Sequence, residues 1–369
     1  MTDTARIDVN PAVLEWAREE SGYSVQDLAR KLKIDDSVYR EWENTGGDIP
    51  FSVLREISKT LKRQVAMFFL PEVPRKVRRP TDYRNLAVSH RRLTSESWLS
   101  VRRVDKFRQL LIEFHGDSYF RTKYAWLSEF QASFGKQTLT RREIAHYLRS
   151  LLGFSLTQQI NNKTISDSYN KWRSCFEDNL GVYVFQLSMP TQEIQGFSYS
   201  DAFPYCIAVN AKYPMSSRIF TMFHELGHIL KRQSGLCIPD QVTENELLEF
   251  ECNTFAGAFL VPDNTVQSTL DKDEIYKRAT KLKVSSEVYL RRLKALNLIS
   301  DEEFFRLLEE IRSSVKPSGF GILSPLEKSI ASRGQSLFNS VVGALNDKKI
   351  SYERASDILG VKISHLMNS

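Results

Sequence analysis

Apolar positions in the first 70 residues recur at helical spacing in short blocks. Leu28, Ala29 and Leu32 make one stripe, and Tyr39 with Trp42 makes another beyond the tight turn at "KID". Ser24 followed by Asp27 has the form of a capping box, and Pro11 and Pro50 open flanking helices in "PAVLEWAREES" and "PFSVLREISKTL". Short helices at this spacing predict a helix-turn-helix. Prolines at 71, 74 and 80 predict an extended linker, after which residues 93–168 again read as helices. The period then switches to alternation over 181–187, 194–200 and 204–210, which predicts three short strands in a small antiparallel sheet. A helical pattern returns at 219–230. A further helix, opened by Thr243 and Glu246 as a second capping box, runs through "ENELLEFECNTFAGAFL" until Val261-Pro262 stops it.

The tail is helical as well. Its segments 278–297 and 354–368 echo "LARKLKIDDSVYREWEN", so they read either as two more helix-turn-helix-like units or as compact helical pairs packed on the preceding domain. The expectation is a predominantly helical α+β chain in four parts: residues 1–72, a connector over 73–168, a central domain over 169–265 and a helical region over 266–369.

Composition narrows the class. The 369 residues are 41% hydrophobic and 26% charged, and no apolar run approaches the about 18 residues of a membrane helix. "MTDTARIDVN" lacks the features of a signal peptide, so a cytoplasmic protein with no membrane partner is expected. Cys175, Cys206, Cys237 and Cys252 are far apart without C-x-x-C spacing, which argues against both a disulfide framework and a thiolate zinc knot and for reduced, mostly buried thiols. The net charge of +6 is uneven. Residues 1–72 hold 10 Lys/Arg against 13 Asp/Glu, whereas 73–110 hold 11 against 3, so the basic surface is the connector, a solvated face or a contact for nucleic acid or an acidic partner. His90, His115 and His146 have no partner at metal-ligand spacing.

The stretch "IFTMFHELGHIL" carries the chemistry. His224 and His228 lie one helical turn apart and face the same way, whereas Glu225 is turned by about 100°, which lets it hold a metal-bound water instead of the metal. Zinc lowers the pKa of its water to about 7, and a nearby carboxylate takes the proton as the hydroxide attacks a carbonyl. A third protein ligand is needed. On the following helix Leu247, Leu248, Phe255 and Ala258 fall within about 60° of Glu251, with Glu246 and Glu249 opposite. A carboxylate on an apolar face needs a partner, and a zinc ion or an arginine would supply it. Arg218, Tyr205 and Tyr213 are candidates for stabilising an oxyanion, and Cys252 reads as inert packing beside the site.

Two resemblances follow from these residues. "LARKLKIDDSVYREWE" with "IPFSVLREISKTL" resembles the XRE (lambda-repressor-like) helix-turn-helix family over residues 11–70. That implies DNA binding through the helix near residues 36–43, with Ser37 and Arg40 as candidate contacts, although Asp35 and Asp36 at its leading end oppose phosphate. The alternatives are packing on the body, homodimerisation and recognition of another repressor-like domain. "RIFTMFHELGHIL" with "ECNTFAGAFLVP" resembles the ImmA/IrrE family of metallo-endopeptidases over residues 170–265. By that resemblance the central domain is a zincin-like peptidase, His224, His228 and Glu251 bind zinc, with manganese as the alternative, and Glu225 is the general base and proton donor. Cys252 stands where the family usually has Ala. The resemblance further implies an XRE-type repressor as substrate and derepression of a stress, mobile-element or prophage regulon. The competing expectation is a DNA-binding regulator whose peptidase-like domain is a sensor or scaffold, in a module of the toxin-antitoxin kind.

Overall fold

The structure is a computed structural model that describes residues 5–76, 93–232, 236–237, 246–313 and 323–367. Thr243 and its expected capping box, His90 and much of the basic connector lie outside these residues. The chain forms two compact units, one of residues 1–79 and 83–105, the other of 80–82 and 106–369.

In the first unit, strand β1 (Arg6–Ile7) pairs antiparallel with β2 (Ile49–Pro50) around helices α1 (Pro11–Glu19), α2 (Val25–Leu32) and α3 (Asp36–Thr45). Helix α4 (Phe51–Leu61) follows, and α5 (Ser95–His115) begins beyond the linker. Local chemistry sets each start. Pro11 occupies the first turn of α1, and the Ser24 hydroxyl accepts from the Asp27 N–H at 3.0 Å, as its capping position requires. Val13, Leu14, Leu28, Tyr39, Trp42, Leu54 and Ile57 close a common core. Arg18 reaches across it to Glu43 at 2.7 Å, with both side chains almost fully covered.

The second unit runs through α6 (Asp117–Lys123), α7 (Ala125–Phe134), α8 (Arg142–Leu152), α9 (Leu156–Asn161) and α10 (Ile165–Cys175) into the sheet. The strands are β3 (Tyr183–Leu187), β4 (Gly196–Tyr199), β5 (Cys206–Asn210) and β6 (Leu236–Cys237), in the order β3-β5-β4-β6. β4 pairs antiparallel with β5 and with β6. β3 joins β5 in parallel, and the β6 pairing adds a fourth strand, neither of which local periodicity contains. Every residue of β4 and β5 is buried, so both faces of these strands are covered instead of one.

Helix α11 (Met215–Leu230) packs on β4, β5 and α10, and α12 (Glu246–Leu260) packs on α11. The remaining helices are α13 (Lys272–Leu282), α14 (Ser286–Ala295), α15 (Asp301–Ser313), α16 (Pro325–Arg333), α17 (Gln335–Asn346), α18 (Tyr352–Leu359) and α19 (Ile363–Leu366). The echo seen in sequence is a shared local geometry. α2, α13 and α18 each end on a left-handed residue, Lys33 (φ 59°), Lys283 (φ 60°) and Gly360 (φ 62°), and a second helix starts within three residues. α13 and α14 pack within the second unit, as do α18 and α19.

Replacing Glu43 by Ala strands the Arg18 guanidinium in a covered position. The expected loss is about 2–4 kcal/mol, seen as faster amide exchange across α1–α3, with Glu43→Gln losing less because it keeps an acceptor.

Candidate metal centre

α11 is buried nearly throughout its second half, and His224, Glu225 and His228 are each no more than 1% exposed. The one-turn spacing brings the two imidazoles together, with Nε2 atoms 3.1 Å apart. The third group on the same spot is Glu249. Its Oε2 lies 3.2 Å from His224 Nε2 and its Oε1 3.1 Å from His228 Nε2. These three residues form the cluster able to hold a metal among the described residues. A tetrahedral ion with bonds of about 2.0–2.1 Å spaces its ligands about 3.3 Å apart. The donor set and its edges therefore fit zinc. Burial pushes the Glu249 carboxyl up, but hydrogen bonds and charge from His224 and His228 outweigh this and hold it well below the usual range.

Asn253 completes the arrangement. It lies one turn after Glu249 on α12, and its Oδ1 is 3.0 Å from His224 Nδ1. A proton on Nδ1, shared with that carbonyl oxygen, leaves the Nε2 lone pair directed at the cluster. Gly227 lets the helices meet: a Cβ there would lie 2.8 Å from Cys252 Sγ and 3.3 Å from Cys252 Cα. Cys252 itself is fully buried, and burial pushes its thiol far up, in keeping with inert packing.

The expected ligand Glu251 is not in this cluster. Its Oε1 accepts from the Leu139 N–H at 2.8 Å and pairs with Lys231 Nζ at 2.9 Å, tying α12 to the residues after α7 and to the end of α11. The reading that placed it on the core face counted Leu247 as core, but Leu247 is 84% exposed and its neighbour Phe250 71%. The face that is buried runs through Cys252, Ala256, Phe259 and Leu260, and the half-buried Glu249 extends it by one turn. That stripe, at i, i+3, i+7, i+10 and i+11 from Glu249, was the missed signal.

Glu225 stands to one side of the ligands against β4. A Cβ on Gly196 would come within 3.5 Å of its Oε1. Burial pushes its carboxyl up to about 7, with His228, His224 and Ser198 pulling the other way. The three oxyanion candidates are engaged elsewhere. Arg218 donates to the carbonyls of Tyr213 (2.7 Å) and Ala211 (2.6 Å) and to Gln186 Oε1 (3.0 Å), pinning the start of α11 to the sheet. Tyr205 packs its ring 4.4 Å from that of Tyr124, and the Tyr213 hydroxyl donates to Thr191 O at 2.8 Å. In the first unit, the Ser37 hydroxyl donates to Asp35 at 2.6 Å and Arg40 lies 3.6 Å from Asp36, so both candidate DNA contacts have carboxylate neighbours on or beside their own helix.

A cleft of about 930 Å³ lies between α11, α12, α14 and α15 and has Asn253 in its wall.

The chain carries an IrrE N-terminal-like domain of the peptidase M78 family. That family matches residues 177–294, which contain the whole cluster, and a helix-turn-helix family matches residues 14–68. The comparisons with curated proteins and with solved structures found no match. In the M78 domain, α11 and α12 supply the metal-capable residues and β4 backs the carboxylate of Glu225. The helix-turn-helix is a domain class that reads DNA. No described helix is long and apolar enough to cross a membrane.

Two substitutions separate the glutamates. Glu249→Gln is expected to weaken zinc binding by at least about 100-fold, whereas Glu251→Gln keeps it within about tenfold, as read by competition with a chromogenic chelator. Gly227→Val forces α11 and α12 apart, with an expected loss of about 3 kcal/mol and a lower zinc stoichiometry, measured by thermal melting and metal analysis.

Proposed function

We propose that the protein is a cytoplasmic, zinc-dependent endopeptidase that cuts a transcriptional repressor of the helix-turn-helix class and so releases the genes that repressor holds. The observation that carries the reading is the triangle of His224, His228 and Glu249 with edges of 3.1–3.2 Å and Glu225 beside it. His224, His228 and Glu249 would hold the ion, which when bound supplies Lewis acidity to water and to a peptide carbonyl. The protein's own contribution is proton handling and orientation. Glu225, one position past His224 and buried against β4, takes a proton from the attacking water and returns it to the nitrogen of the departing amine. A carboxyl with its pKa raised toward neutrality suits both transfers. Asn253 holds His224 in the tautomer that presents Nε2.

The substrate class rests on the company the domain keeps. A helix-turn-helix domain in the same chain offers a surface for a repressor-like partner, for DNA or for a second copy of the protein. Its α3 carries Asp36 at the leading end with Asp35 as its cap, which favours a protein partner over phosphate.

Incubating a helix-turn-helix repressor encoded beside this protein with the zinc-loaded chain, and weighing the products by intact mass spectrometry, tests the reading. A single cut that vanishes in Glu225→Gln is expected. Absence of any cut from a preparation with zinc bound at a 1:1 ratio would favour the alternative, a regulator whose peptidase fold serves as a sensor.

A further inference from the structure

The cleft beside the metal centre has a composition of its own. Phe220 of α11, Phe250 of α12, Val288 of α14 and Phe304 of α15 give it an apolar lining. Its charged lining is lopsided: Arg291, Arg292, Lys294 and Arg312 against Glu287 alone. Arg292 is engaged by Asp263, and Lys294 is paired with Asp301. Arg291 and Arg312 have a different arrangement. Both guanidiniums lean on Glu287, at 2.6 Å and 3.2 Å from the same Oε1. Two positive groups share one negative group, and both arginine side chains are more than half exposed.

Two contacts attach this cleft to the chemistry. Asn253 lines it and bonds His224. Gln195, which also lines it, donates to the Thr221 hydroxyl at 3.2 Å, one turn before Glu225 on α11. Through Asn253 and Gln195 the cleft wall therefore touches the helix that carries both His224 and Glu225.

We infer that this cleft receives the substrate chain and selects a segment in which apolar residues are accompanied by Asp or Glu, one acidic side chain settling beside the Arg291–Glu287–Arg312 group on the exposed faces of the two guanidiniums. The inference rests on the endopeptidase reading and gives it a sequence preference. The apolar lining supplies contact area through desolvation, while the arginine pair supplies discrimination, because with one carboxylate shared between two guanidiniums a lysine or arginine meets a group that is still net positive. The same lining favours a peptide over a nucleic acid, whose phosphates would gain nothing from Phe220, Phe250 and Phe304.

The test uses the full chain as zinc-loaded Glu225→Gln and two fluorescein-labelled synthetic peptides, one of alternating Phe, Leu and Glu, the other with each Glu changed to Lys. Anisotropy titration is expected to show the acidic peptide binding at least about tenfold tighter, with the ratio shrinking as salt rises. Adding Arg291→Glu and Arg312→Glu is expected to reverse the order; if that variant melts early, the salt dependence of the parent decides. Equal affinities, a preference for the Lys peptide, or tighter binding of a single-stranded oligonucleotide than of the acidic peptide would overturn the inference. Cleavage assays with the wild-type chain keep the two readings apart. Cutting without charge preference removes the cleft proposal and leaves the peptidase, whereas selective binding without any cutting does the reverse.

Discussion

The close crossing of α11 and α12 is the constraint on which the site depends. Gly227 leaves no side chain between the helices, and Cys252 fills the space from the other side. Only at this separation does a carboxylate on α12 reach both imidazoles of α11. The 3.1–3.2 Å edges of the His224, His228 and Glu249 cluster are thus a consequence of backbone approach as much as of side-chain choice. Leu226 and Gly227 lie between the histidines of the motif, and the glycine there has a packing reason to be small.

Around that crossing, the division of labour between the two glutamates of "EFE" is informative. Glu249 and Glu251 are two residues apart, so on a helix they point about 200° away from each other. One meets the histidines and the other meets Lys231 and a backbone amide. Both are partnered carboxylates in partly covered positions, as low-dielectric surroundings demand. Polarity along a helix thus identifies which acids need partners, whereas the facing element determines what each partner is.

Much of the architecture was legible because it is local. The capping of α2 by Ser24, the proline opening of α1, and the histidine pair with Glu225 all depend on residues within a turn or two of each other. The sheet was legible as three strands, because alternation survives in a window of five residues, but not as a parallel β3-β5 pair joined by β6, which depends on distant chain. Glu251 was misassigned for a related reason. Leu247 is apolar yet exposed, and a pattern of residue types cannot report that the first turn of α12 stands clear of the core. Asn253 is a polar residue on an exposed position of α12, and only the approach of α11 makes it the partner of His224. The acidic character of α3, by contrast, was plain in sequence, and the structure adds that Ser37 and Arg40 lean on its carboxylates.

The fasteners between α11 and α12 have one more consequence. The Gly227–Cys252 contact, the Lys231–Glu251 pair and the His224–Asn253 bond all join the two helices through protein atoms alone. In small zinc domains the ion is itself the fold's organiser, and its binding energy is folding energy. Here the two helices are also joined by contacts between protein atoms, so their crossing does not rest on the His224, His228 and Glu249 cluster alone.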